Sequence, residues 1–96
     1  MSISLDSKVR MPLDVLVSRL DGESVLLNLR SECYFGLDAV GTKILDRLMS
    51  SDSIQGAYHQ LLSEFDVDAD SLRTDLTELL DSLLAHGLLE VPAFDV

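Results

Sequence analysis

The sequence predicts an α+β domain in which a three-stranded antiparallel sheet precedes three helices. Two observations predict it. Short β-branched and aliphatic runs before residue 38 give way to apolar residues with a 3.6-residue period, and an Asp-Gly pair separates the first two runs. A chain of 96 residues fits one domain, 1–96. Three helices with short links beside a small sheet indicate a winged-helix-like arrangement, in the order βββααα.

The first two strands are predicted to form a hairpin around Asp21 and Gly22. Asp-Gly favours a type I′ turn, because both turn positions need positive φ. A two-residue loop places Leu20 opposite Glu23, and the alternation then divides the side chains between two faces. One face carries Leu16, Leu20, Val25, Leu27 and Leu29; the other carries Val15, Val17 and Leu26 among Arg19, Ser24 and Asn28. Both faces are partly apolar, so we expect the sheet to contact something on each side.

The third strand is predicted at Cys33–Leu37, after the polar break Arg30-Ser31-Glu32. As the last strand of a meander, it is expected to form a sheet edge with unpaired backbone groups. Residues 1–12 show no period and are expected to form a loose N-terminal lead-in.

The three helices have capping signals. Asp38 is a predicted N-cap before the apolar positions of the first helix, and Ser53 is one before the second. Asp68 or Asp70 caps the third helix, which is expected to end at Gly87 after His86.

The acidic net charge of the chain limits which classes of partner it can bind. The chain has 7 Lys and Arg against 17 Asp and Glu, a net charge of −10, and residues 51–96 contain Arg73 as their single Lys or Arg. Such an acidic half repels nucleic acid and anionic membranes and favours cationic or neutral partners. With Arg73 as its single base, the third helix has too few cations to act as a DNA recognition helix. No apolar run is long enough to span a bilayer, no secretory signal is visible, and the single Cys33 fits a reducing cytoplasm.

Catalytic patterns are absent from the sequence. His59 and His86 lack neighbours at metal-ligand spacing, and Cys33 has no evident histidine partner. Asp75 and Glu78 share a helix face, but acid–base work needs a pocket, so we expect them to be solvated surface acids. We therefore expect a protein that is not an enzyme and that needs no metal or cofactor.

An adaptor remains. A free strand edge can be completed by an extended peptide, and Leu72, Leu76 and Leu79 form an apolar stripe on the third helix. The alternative, that this stripe is entirely core, stays open.

Several segments resemble the PqqD-like family. They are Val25–Leu29, Tyr34–Asp38, Val40–Leu45, Ser53-Ile54, Leu72-x-x-Asp75-Leu76 and Gly87–Leu89, and together they span most of the chain. The Tyr-Phe-Gly-Leu-Asp variant is most similar to the stand-alone leader-binding proteins of lasso-peptide clusters.

The resemblance implies a RiPP recognition element, a domain that binds the leader of a ribosomally made precursor peptide and presents it to maturation enzymes such as a leader peptidase or cyclase. It implies that the leader adds as a strand to the third strand and lies against the third helix. The peptide-binding residues carried over are Cys33, Tyr34, Phe35, Gly36, Leu37, Leu72, Asp75, Leu76 and Leu79. Relatives often have Gly where this chain has Glu32. The alternative function is a winged-helix-type regulator or another small protein-interaction module.

Overall fold

A computed structural model describes residues 6–91 of the chain. The strands are β1 (Val15–Leu20), β2 (Glu23–Asn28) and β3 (Cys33–Leu37), in the sheet order β1-β2-β3. The helices are α1 (Ala39–Ser50), α2 (Ile54–Glu64) and α3 (Ala69–Ala85). Both strand pairs are antiparallel, so the predicted α+β class and its element order are confirmed.

The β1–β2 hairpin has the predicted register. Leu20 lies opposite Glu23, and Asp21 and Gly22 have φ values of 54° and 83°. Positive φ at both turn positions is what a type I′ turn requires.

Each helix begins at a predicted cap. The side chain of Asp38 accepts a hydrogen bond from the backbone N–H of Gly41 at 2.8 Å, and that of Ser53 accepts one from Gly56 at 3.0 Å. Asp68, rather than Asp70, caps α3 by accepting from the Ser71 N–H at 3.1 Å. These bonds satisfy amide groups that have no partner within the first helical turn.

The hydrophobic core lies between the helices and one face of the sheet. Val15, Leu26 and Leu37 are the buried apolar residues of this inner face. The helices contribute Ile44, Leu45, Leu48, Ile54, Ala57, Leu61, Leu72, Leu76, Leu80 and Leu83. Buried polar groups on the same face are also satisfied, since the hydroxyl groups of Ser24 and Thr42 lie 2.7 Å apart.

The opposite face of the sheet is not covered by the described part of the chain. Leu16, Leu20 and Tyr34 are 53%, 75% and 75% exposed on the outer face, so the expected contact on that side stays a prediction that needs a partner. All three helices contribute to the core on the inner side, so the described part of the chain leaves the outer face open to solvent.

The lead-in is also not loose where the structure describes it. Val9 is 1% exposed, and the Ser7 carbonyl accepts the Ile54 N–H at 2.8 Å. Arg10 and Glu90 exchange two backbone hydrogen bonds of 2.8 Å in an antiparallel bridge. This segment has no sequence period because separate hydrogen bonds and the buried Val9, not one face of a helix or strand, attach it to the core. Residues 1–5 lie outside the described part.

Candidate functional site

The backbone groups of β3 divide between β2 and the outer edge of the sheet. The Leu29 N–H donates to the Asp14 carbonyl at 2.8 Å, so odd-numbered residues of β2 bond toward β1 and even-numbered residues toward β3. Phe35, opposite Leu26, is thus bonded to β2. Tyr34 and Gly36 therefore direct their N–H and C=O groups to the free edge.

Side chains of β3 alternate between the two sides of this edge. Cys33, Tyr34 and Gly36 are exposed, whereas Leu37 is buried and Phe35 is half-buried on the inner side. The ring of Phe35 lies 5.6 Å from that of His86, which follows the last residue of α3. This contact places the C-terminal end of α3 beside the middle of β3.

The Phe35–His86 contact identifies the side of α3 that borders β3. Asp75, Leu79, Ser82 and His86 are spaced i, i+4, i+7 and i+11, so they lie along one side of the helix. Asp75 is exposed and Leu79 and Ser82 are half-buried, so this side of the helix is accessible to a partner. We call the surface formed by Phe35 and these four residues the β3–α3 groove.

Two predicted helix residues have little surface available for a peptide. Leu72 and Leu76 are 3% and 2% exposed and belong to the hydrophobic core. The alternative that the stripe of Leu72, Leu76 and Leu79 belongs to the core is therefore confirmed at the first two positions. Leu79 and Asp75 remain accessible, and the peptide-contact role of all nine residues stays a prediction.

The structure adds two residues that sequence reasoning did not select, His86 and Asn28. The Asn28 side chain donates to the Gly87 carbonyl at 2.9 Å and accepts from the N–H groups of Arg30 at 2.9 Å and Ser31 at 3.2 Å. Asn28 thus fixes the β2–β3 turn to the end of α3. A polar residue on the inner face of a strand was the available signal, because a buried amide needs partners.

The β2–β3 turn contains Glu32, where the family resemblance leads us to expect glycine. Glu32 has φ of 62°, and its N–H donates to the Asn28 carbonyl at 2.8 Å. This left-handed conformation favours glycine, the residue that the family resemblance leads us to expect at this position. The hydrogen bonds of Asn28 hold the turn although the residue is not glycine.

The described residues form neither a metal cluster nor a membrane-spanning helix. Within residues 6–91, no three His, Cys, Asp or Glu side chains are grouped to hold a metal ion. In the same range no helix is long and apolar enough to cross a membrane. His59 contacts Gln55 and Tyr58, while the His86 Nδ1 lies 2.7 Å from the Ser82 carbonyl.

Solved structures resemble the whole arrangement. TbiB1 in complex with the TbiA(beta) leader peptide is 33% identical with a TM-score of 0.78, over 88% of this chain and 99% of that one. A lasso peptide synthetase B1 complexed with its leader peptide is 27% identical with a TM-score of 0.77, over the same shares of the two chains.

Sequence comparison gives the family. No curated protein matches the chain. Residues 23–89, which include the sheet from β2 onward and all three helices, match the family described as coenzyme PQQ synthesis protein D (PqqD). The chain therefore belongs to the PqqD family.

Proposed function

We propose that this chain is a non-catalytic adaptor that binds the leader segment of a ribosomally synthesised precursor peptide by strand addition at β3. It presents the bound peptide to maturation enzymes in the cytoplasm, in the manner of a lasso-peptide pathway. The observation that carries the proposal is that two similar chains, over 88% of this one, were solved with leader peptides. The free edge of β3 supplies the physical basis.

An added strand finds backbone partners at two residues of β3. Tyr34 and Gly36 each offer one N–H and one C=O group, which matches the alternating pattern of an antiparallel ladder. A Cβ on Gly36 would meet no atom within 4 Å, so this position does not need glycine for folding. Cys33, Phe35 and Leu37 hold the edge in place through β2.

Specificity comes from side chains that enter the β3–α3 groove. Every second residue of the added strand points toward Phe35, Leu79 and His86, which favours apolar or aromatic leader residues. Asp75 lies one turn before Leu79 and favours a basic leader residue at that end of the groove. Leu72 and Leu76 support the helix from the core.

The charges on α3 oppose a DNA-binding role. Arg73 is the single base of α3, beside the exposed acids Asp70, Asp75, Glu78 and Asp81. A recognition helix needs cations that reach phosphates and base edges, and this charge pattern opposes that contact.

Fluorescence polarisation with the labelled precursor leader tests the proposal. Gly36→Pro removes a free-edge donor without removing a bond to β2, so the affinity should fall by about tenfold or more while the helices persist by circular dichroism. Val17→Pro is the matched control, because Val17 occupies the free-edge register of β1 at the opposite side of the sheet.

The proposal fails if the leader binds no better than a scrambled peptide of equal composition. Equal losses for Gly36→Pro and Val17→Pro would place the peptide away from the edge of β3. Mass spectrometry of the same mixture should show an unchanged peptide, and a cleaved or modified product would contradict the non-catalytic role.

A further inference from the structure

The outer face of the sheet is an apolar surface that the peptide groove does not use. Leu16, Leu27 and Tyr34 lie opposite one another across the three strands and form one row. Ser18, Val25 and Gly36 form the next row, and Leu20 lies beyond it on β1. Leu16, Leu20, Val25 and Tyr34 are between 44% and 75% exposed. Contiguous exposed apolar surface of this kind marks interaction sites in soluble proteins.

One end of this outer face has a shallow depression with an acidic rim. Gly36 has no side chain, and no atom lies within 4 Å of where its Cβ would be, so the row is open beside Val25. Leu20 and Val25 supply an apolar lining, and the carboxylates of Asp21, Glu23 and Asp38 surround it. Among residues 6–91, none of these three acids forms an ion pair.

The shape and the charge specify the chemistry of an occupant. An apolar lining inside a carboxylate rim fits the aliphatic stem and cationic head of a lysine or arginine. A second copy of this chain is a poor occupant, because it carries the same acids and a net charge of −10. The acidic rim also opposes an anionic membrane surface.

We propose that the outer sheet face docks the enzyme that modifies the bound peptide, through an apolar patch on that enzyme with a Lys or Arg side chain seated beside Gly36. This inference rests on the proposed function. A leader strand added at β3 places alternate residues on the same outer face, next to Tyr34 and Gly36. The enzyme then contacts adaptor and peptide together, and it binds the loaded adaptor more tightly than the empty one.

The test measures two affinities for each variant of the full chain: leader binding, and binding of the purified maturation enzyme encoded with the precursor to the loaded adaptor. Leu16→Thr with Leu20→Thr removes apolar surface while keeping strand preference, on the strand farthest from the leader. Enzyme affinity should fall about tenfold or more. Leader affinity, measured without the enzyme, should stay within about twofold, because Leu16 and Leu20 lie across the sheet from the leader.

The rim has its own variant and control. Glu23→Lys should weaken enzyme binding about tenfold, whereas Asp52→Lys, the same charge change in the α1–α2 link, should not. Val67→Thr is the apolar control, since Val67 is 51% exposed and lies outside the sheet.

The outcomes separate this inference from the proposed function. A wild-type chain that fails to bind its leader overturns the proposed function. A chain that binds leader normally, with enzyme affinity absent or unchanged in Leu16→Thr/Leu20→Thr and Glu23→Lys, overturns the docking face alone. A dimer in light scattering, or binding to phosphatidylserine vesicles, that the Leu16→Thr/Leu20→Thr change abolishes assigns the face to another occupant and also overturns it.

Discussion

Glu64 joins the first two helices through both oxygens of its carboxylate. One oxygen accepts from Lys43 Nζ at 3.0 Å and from Arg47 at 3.0 Å, and the other accepts from Arg47 Nε at 2.6 Å. These hydrogen bonds, with that of Arg47 the strongest cause and that of Lys43 next, lower the pKa of Glu64 to about 2. The charged form is therefore favoured in the folded state.

The depressed pKa of Glu64 gives a stability contribution with a defined pH range. It is fully present above the unfolded pKa near 4.5 and is lost as the pH falls toward about 2. Glu64→Gln should lower the melting temperature at neutral pH, and its difference from wild type should shrink through that acid range. Thermal melts across pH measure this, with Asp66→Asn as an exposed control. A constant difference down to about pH 2 would contradict the assignment.

Turn residues show what single positions predict. The turn at Asp21 and Gly22 was predictable, because both central positions of a type I′ turn need positive φ and Asp and Gly tolerate it. The positive φ of 62° at Glu32 was not predictable from the residue, since glutamate has no preference for it. Only the family resemblance, which leads us to expect Gly there, singled out this position. The Phe35–His86 contact joins residues from distant elements, so no local pattern contains it.

Helix α3 has apolar residues over a wide arc, and this limits what its period can predict. The sequence selected Leu72, Leu76 and Leu79 as one stripe, whereas the buried line runs through Leu72, Leu76, Leu80 and Leu83. Adjacent leucines such as Leu79 and Leu80 shift the centre of the arc by about 100°, a step that periodicity alone does not resolve. Packing of α3 against α2 and the rest of the core decides it. The strands and caps were predictable because alternation and capping are local.

The distinction between core and groove on α3 is measurable with two leucines. Leu83→Ala removes a 0% exposed side chain and should cost about 2–5 kcal/mol of unfolding free energy. Leu79→Ala, at a half-buried position on the groove side, should cost less stability and reduce leader affinity more. Paired melting midpoints and leader affinities measure both. If affinity tracks stability equally in the two variants, α3 serves only as scaffold.

At the scale of the whole molecule, charge is the dominant feature. Among the described acids of residues 51–91, only Glu64 and Glu90 take part in ion pairs, and Arg73 is the only Lys or Arg. The remaining carboxylates repel one another across a small surface. The same field that opposes nucleic-acid binding and favours basic partners therefore also weakens the fold.

Added salt screens two electrostatic effects that change the stability of the fold in opposite directions. Screening weakens the exposed ion pairs, each worth about 0–1 kcal/mol, but it also weakens the repulsion from a net charge of −10. Because most acids of the C-terminal half lack a cation partner, the repulsion should prevail. The melting temperature should then rise by several degrees between about 10 and about 200 mM NaCl, as expected for a gain of roughly 1 kcal/mol.

A variant with fewer acids isolates the cause. Glu78→Gln with Asp81→Asn removes two exposed charges from α3, so the variant should be more stable than wild type at low salt and less sensitive to added salt. General salting-out by NaCl would raise both proteins alike. A melting temperature that falls as salt is added would mean that the ion pairs, such as Arg47 with Glu64, outweigh the repulsion among the acids.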